Sequence, residues 1–375
     1  MMAQLFEITE INTMTLKNRF VRSATYEGLA EEDGAVTPAL TKMMVDLAKG
    51  GVGLIISSHA YVSRQGKAGP GQLGVYKDEL VPGLSEMADA VHDAGGKIIL
   101  QIAHAGYHAF VQDAGQTPCA PSELGISKTP RHALTAEEIT QIKENFIMAA
   151  QRAKTAGFDG VQIHAAHGYL LSQFLSPYYN RRTDDYGGPA ENRARAVIEI
   201  LRAVRQAVGK DFPVLIKMNC RDFHENGLEL EDSLKAAQMF EENGIDAIEL
   251  SGGLLINKRF TPSRTGRDTE NPEPYYEEEA REFKKKINAP LILVGGNRSC
   301  NTAERIISGG VADYIAMARP LIREPGLINR WESGRRESSA CISDNQCFQG
   351  IRAGLGVYCV TAEKQGAENA DKDTR

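Results

Sequence analysis

The sequence predicts an α/β protein, a closed eight-stranded (β/α)8 barrel with an N-terminal hairpin. Three observations carry this: eight short apolar runs, an amphipathic helix-like stretch after each, and no glycine-rich dinucleotide turn where an open sheet would need one. The runs are Phe20–Thr25, Gly53–Ser58, Lys97–Ile102, Gly160–His164, Pro213–Asn219, Asp246–Ser251, Pro290–Gly295 and Asp313–Ala318. They are continuously apolar rather than alternating, as parallel strands covered on both faces are. Helix-like segments cover 38–49, 82–94, 135–156, 189–208, 231–243, 274–287, 300–308 and 324–334. The one formal G-x-G-x-x-G, Gly69–Gly74, lies past its strand and contains Pro70, so closure is favoured over a doubly wound sheet.

Taken in order, the elements carry their own punctuation. Leu5–Leu16, with Asn12 and Thr13 as the turn, reads as a hairpin across the barrel floor. Thr135 and Glu138 form a capping box, in which a hydroxyl and a carboxylate satisfy the first free N–H groups of the long helix. Glycines follow several helices, Gly157 and Gly209 among them, where a left-handed cap is wanted. No linker interrupts the pattern, so residues 1–360 are expected to form a single barrel domain with a C-terminal extension. Residues 361–375 are expected to be a polar, flexible tail.

Composition removes whole classes of function. The 375 residues are 25% charged and 42% hydrophobic, with a formal net charge of −6. There is no basic stripe with interleaved aromatics for nucleic acid, and no apolar run of the roughly 20 residues that span a bilayer. Met1–Glu7 lacks the basic and apolar regions of a secretory signal. Six cysteines without regular spacing before residue 341 do not form a disulfide framework. A soluble cytoplasmic protein is expected, with no nucleic-acid or membrane partner.

In a parallel barrel the chemistry sits at the carboxyl ends of the strands. Here polar residues replace apolar ones at those ends: Thr25, Gln101, His164, Lys217 and Arg319 among them. Gly295 and Gly296 after strand seven, with Arg319 after strand eight, have the makings of a phosphate site, since backbone N–H groups without a Cβ approach an anion closely. A phosphate there and Lys217 on strand five suggest FMN lying across the barrel mouth. Lys217 would steady negative charge at the N1–C2 edge of the ring, Gln101 would bond its polar edge, and Thr25 would sit near O4 and N5. A structural ion pair is the other reading of Lys217.

His164 ends strand four, and His167 and Tyr169 follow it. Two imidazole N–H groups aimed at one point bind a carbonyl oxygen, and a tyrosine hydroxyl is an acid suited to a basic carbon. Two other readings stay open: histidines that satisfy each other, or a metal pair, as in a metal-dependent barrel hydrolase or lyase. The metal reading lacks neighbouring carboxylates to complete its ligand set.

These residues resemble the Old Yellow Enzyme family of NAD(P)H:flavin oxidoreductases over about residues 3–360. The most specific stretch is HAAHGYLLSQFLSP from His164 to Pro177, continued by Asn180–Gly188 and Glu191–Arg193. Leu16–Phe20, Gln101–Gly106 and Ala318–Leu321 support it. The resemblance implies a TIM barrel with non-covalent FMN, reduced by NADH or NADPH, that reduces the C=C bond of an enone or enal. It implies that His164 and His167 hold the carbonyl, that Tyr169 protonates the α-carbon, and that Tyr26 also touches substrate. It places Arg22, Ser23, Ala24, Thr25, Ser58, Gln101, Lys217, Gly295, Gly296, Ala318 and Arg319 around FMN, and it implies a homo-oligomer. A flavin-binding sensor whose output is not reduction is a further alternative.

The sequence departs from that family in three places. Thr25 stands where many members have a cysteine, and Lys217 where many have arginine. Cys341, Cys347 and Cys359 resemble the remains of the iron–sulfur site of larger relatives, but Asp344 stands where a further cysteine belongs, so no cluster is expected, although three thiolates and a carboxylate could still hold a metal.

Overall fold

A computed structural model of the chain describes residues 2–110, 117–125, 130–266 and 273–373. Helix α1 (Met2–Leu5) leads into the hairpin β1 (Thr9–Ile11) and β2 (Met14–Leu16), which turns at Asn12 with a left-handed φ of 52°. The barrel follows as β3 (Phe20–Arg22), α2 (Pro38–Lys49), β4 (Leu54–Tyr61), α3 (Val81–Asp93) and β5 (Ile98–Ala103). After β5 a loop carries the two-residue pair β6 (Cys119–Ala120) and β7 (His132–Ala133). Then come α4 (Ala136–Thr155), β8 (Val161–Ala165), α5 (Leu170–Leu175), α6 (Ala190–Val208), β9 (Val214–Asn219), α7 (Leu230–Glu242) and β10 (Ala247–Ser251). The circuit ends with α8 (Glu277–Lys286), β11 (Leu291–Val294), α9 (Cys300–Ser308) and β12 (Tyr314–Met317). Strands β3, β4, β5, β8, β9, β10, β11 and β12 pair in that order, and β12 closes back on β3 in parallel.

The (β/α)8 TIM barrel and its hairpin are therefore present. Local chemistry sets the helix starts: Thr37 caps α2 ahead of Pro38, and the Thr135–Glu138 capping box closes reciprocally at α4. Beyond β12 lie α10 (Arg319–Arg323), α11 (Leu327–Glu332), α12 (Phe348–Arg352) and α13 (Val360–Asp373). The polar tail is helical as far as Asp373; its Ala, Glu, Lys and Gln content favours that form. Among the described residues no helix is long and apolar enough to cross a membrane.

Two layers of core follow from strand alternation. Outward residues such as Ile55, Leu100, Ile163, Ile216, Leu250 and Leu293 pack under the helices. Inward residues Val21, Leu54, Ile56, Ile99, Leu215, Ala247, Ile292 and Ala316 fill the lower barrel, and Ile11, Met14 and Leu16 of the hairpin plug its floor. Above that apolar plug the inward positions turn polar, and there the functional site begins.

Candidate active site

The inward residues one layer above the plug form a continuous hydrogen-bonded chain. Gln101 Nε2 donates to Gln162 Oε1 (2.6 Å), Gln162 Nε2 to Glu249 Oε2 (2.9 Å), and Lys217 Nζ to Glu249 Oε1 (3.1 Å) and Ser23 Oγ (2.8 Å). Each member is buried, Glu249 completely. Such a layer is tolerable because the charge pair and the amides satisfy one another; an unpaired carboxylate at that depth would not be. Lys217 thus forms an ion pair and also lines the cavity above.

That cavity encloses about 370 Å³, within the roughly 300–1,000 Å³ range of small-molecule sites. Ala24, Thr25, Tyr26, Gln101, His164, His167, Tyr169, Lys217, Gly295, Gly296, Ala318 and Arg319 all line it, so most residues singled out in the sequence converge on one space.

On one wall stand the histidines and Tyr169. The His164 and His167 rings are 5.4 Å apart, and the Tyr169 ring is 4.9 Å from that of His164. His164 Nδ1 accepts from the Ala166 N–H at 3.4 Å, so the proton of the neutral ring belongs on Nε2. His167 has a left-handed φ of 66°, its N–H donates to Asn219 Oδ1 (3.0 Å), and its Nε2 lies 2.7 Å from Ser251 Oγ. Its remaining ring nitrogen is Nδ1. This leaves Nε2 of His164 and Nδ1 of His167 as the ring nitrogens without a hydrogen-bond partner among the described residues. A metal pair gains nothing from it: among the described residues no group of three or more His, Cys, Asp or Glu is placed to hold a metal ion.

The opposite wall is built for an anion. Gly295 and Gly296 have φ of 118° and 78°, and a Cβ on Gly296 would come within 2.5 Å of the Tyr275 ring, so only glycine fits there. Arg319 is braced by Arg264 O (2.8 Å), Asn345 Oδ1 (2.7 Å) and Tyr275 Oη (3.2 Å). Arg298, which the sequence reading missed, also lines this side and donates to Gly296 O at 3.0 Å. Bare backbone, two arginines and a polar floor fit a phosphate-bearing flavin such as FMN.

Three of the expected residues stand apart from the cavity lining. Arg22, Ser23 and Ser58 do not line the cavity. Val21 points into the barrel, so its neighbour Arg22 points out, where it donates to Ile56 O (2.6 Å) and pairs with the buried Glu27. Ser58 Oγ donates to the same carboxylate, and Ser23 Oγ accepts from Lys217 Nζ. His59, Glu249 and Asn219 are the further residues that sequence reasoning left out of the site. Of the loops expected to shape the pocket, Leu255, Pro262 and Ser263 contribute to its lining, whereas 111–115 and 267–271 lie outside the described residues.

Cys341, Cys347 and Cys359 gather with Asp344, Arg319 and Arg323 around a small separate cavity. All three are free thiols, and burial pushes Cys347 up to about 11. The Asp344 carboxylate is engaged by Thr361 Oγ1 (2.5 Å) and the Gln346 N–H (3.1 Å), so the set does not fit a four-thiolate cluster.

Burial dominates the electrostatics. Among the described residues five histidines are held below the ordinary value: His59 and His108 down to about 4, His104 to about 3, and His164 and His167 well below it. Below about pH 6.5 the unfolded chain binds protons that the folded chain refuses, so this stability is complete above that pH and is lost on acidification. Glu27 and Asp222, raised by burial, slope the other way but are two against five. The urea midpoint is therefore expected to be lower at pH 5 than at pH 7.5; an equal or higher midpoint at pH 5 would contradict neutral buried histidines.

Comparison with known proteins bears on this geometry. The family model described as NADH:flavin oxidoreductase / NADH oxidase matches residues 4–338. The NADH oxidase of Thermoanaerobacter brockii is 39% identical over 371 residues, covering 97% of this chain but 56% of the relative, so the chain spans about half that protein. The NADPH dehydrogenase of Bacillus subtilis is 36% identical over 328 residues, 87% of this chain and 93% of the relative. The structure of an old yellow enzyme homologue from Zymomonas mobilis superposes with a TM-score of 0.78 at 27% identity, over 96% of this chain and 98% of that one. With the barrel, the braced anion wall and the histidine wall in place, the chain belongs to the NADH:flavin oxidoreductase / NADH oxidase family, the family of the Old Yellow Enzymes.

Proposed function

We propose that this protein reduces the C=C bond of α,β-unsaturated carbonyl compounds with NADH or NADPH. The observation that carries the reading is the convergence of His164, His167 and Tyr169 on one wall of a cavity whose other walls suit FMN. The chemistry FMN supplies when bound is hydride transfer, from the reduced nicotinamide and on to the substrate β-carbon. Thr25, Gln101, Lys217, Gly295, Gly296, Ala318, Arg298 and Arg319 would hold it, with Lys217, fixed by Glu249 and Ser23, as the cation available to its ring.

His164 and His167 donate to the carbonyl oxygen and stabilise the negative charge that grows there as the β-carbon gains its hydride. Both rings are neutral at neutral pH, because burial is the main cause of their lowered values, and so each keeps one N–H and one acceptor nitrogen. Tyr169 gives its hydroxyl proton to the α-carbon, and Tyr26 closes the substrate side of the cavity.

A half-reaction assay tests this. Protein loaded with FMN is expected to lose its yellow absorbance anaerobically under NADPH or NADH and to regain it on addition of cyclohexenone. Bleaching by the nicotinamide without recovery on the enone would leave a flavin reductase and remove the alkene reading.

A further inference from the structure

His59 stands in the cavity with no part in the chemistry so far. Its ring is stacked on Tyr169 (centroids 5.5 Å apart, 30° between planes) and meets the edge of Tyr26 at 5.3 Å. His59 Nε2 lies 3.2 Å from the Tyr169 hydroxyl, the one hydrogen-bond partner of that hydroxyl among the described residues. The position is held from behind: Gln72 Nε2 donates to His59 O (2.8 Å), and Tyr26 Oη donates to Pro70 O in the same loop.

A buried phenol that gives up a proton leaves an anion in a poorly solvated place, which opposes the transfer. Burial is the first cause that raises the Tyr169 value. Lys217, the cation at the floor of the cavity, is already engaged by Glu249. His59 is itself neutral, because burial and then the nearby Arg22 and Lys217 cations disfavour its imidazolium. A neutral imidazole has one N–H to donate, and the Tyr169 oxygen is where Nε2 points.

We propose that His59 is a positioning residue for proton transfer, donating its Nε2–H to the Tyr169 oxygen. The phenol proton is then free to face the substrate α-carbon, and the phenolate left behind is hydrogen-bonded. In the step itself the new C–H bond forms at the α-carbon as the Tyr169 O–H bond breaks. The O–H electron pair stays on oxygen, and a proton from water restores the phenol after product leaves. The hydride at the β-carbon comes from the nicotinamide through FMN, so charge and electrons balance. The proposal rests on Tyr169 being the donor.

The test compares two rates in the FMN-loaded protein: reoxidation by cyclohexenone and reduction by NADPH. In His59→Phe the ratio of the first to the second is expected to fall roughly 10- to 100-fold, the range for a lost hydrogen bond to a charged group. His59→Gln, which keeps an N–H donor of similar reach, is expected to restore most of it. His59→Asn, whose amide stops short of the phenol, gives the same loss and replaces the phenylalanine variant if that one does not fold. The double variant His59→Phe/Tyr169→Phe is expected to be no slower than Tyr169→Phe alone, since both remove one device. In FMN-free protein labelled with 13C-tyrosine, the Tyr169 Cζ resonance is expected to move in His59→Phe.

An unchanged ratio in His59→Phe and His59→Asn, or a double variant slowed by the full product of the singles, overturns the role of His59 and leaves Tyr169 standing. A Tyr169→Phe variant with an unchanged ratio removes the proton donor itself, a separate result that takes this proposal with it. A merely structural histidine would depress both half-reactions together and would not be rescued by glutamine.

Discussion

Replacing Tyr169 with phenylalanine is expected to slow alkene reduction by roughly 10²–10⁴-fold, the usual worth of a positioned general acid, while reduction of the flavin by NADPH persists. The substitution removes one oxygen and keeps the ring, so the packing on His164 and His59 survives. Tyr169 also caps the start of α5 through its backbone conformation, φ −76° and ψ 172°, with no side-chain capping bond to lose. The helix should therefore stay in place, and any rate effect belongs to the hydroxyl. Single-turnover measurement of each half-reaction separates the outcomes. Equal slowing of both halves would mean that the hydroxyl shapes the cavity rather than supplying a proton.

The second large effect is one of stability. Lys217→Met is expected to cost about 3–5 kcal/mol, because it leaves the fully buried Glu249 without its cation. The loss spreads, since Glu249 also receives Gln162 and Gln162 receives Gln101. Adding Glu249→Gln removes the stranded charge and keeps an acceptor for Gln162, so the double variant should recover most of the stability. FMN affinity should not return with it, because the cation that Lys217 would offer the flavin is still missing. Urea unfolding of the FMN-free chain, followed by circular dichroism, measures the first effect, and FMN titration the second. A single variant within 1 kcal/mol of wild type, or a double no better than the single, would show that the pair is not what holds this layer.

Much of the site was legible because strand ends mark it. His164, His167, Tyr169, Lys217, Gln101 and the Gly295–Gly296 pair sit where parallel strands run out, and all of them line the cavity. His59 was not legible, for a definite reason. Counting by twos from Leu54 and Ile56, both inward, puts Ser58 inside and His59 outside. A bulge between Ile56 and His59 adds one residue against β5, where Ile56 pairs with Ile99 but His59 pairs with Gln101. The phase flips, so Ser58 turns to Glu27 and His59 enters the cavity. The same strand-by-strand counting missed Glu249, since it lies one layer below the strand end, where an apolar residue is the usual occupant.

The amino-acid sequence by itself determined the number, order and type of the elements, the closure of the barrel and the family to which the chain belongs. Those depend on periodicity, caps and a long irregular motif, all of which are local along the chain. Only the tertiary structure decided which side chains meet: Lys217 with Glu249 and Ser23, Arg22 with Glu27, and His59 with Tyr169. These contacts join residues on different strands, and a single inserted bulge residue can reverse which face a side chain takes. For this reason His164, His167 and Tyr169 could be named in advance, while the group that steadies Tyr169 had to be found in the fold.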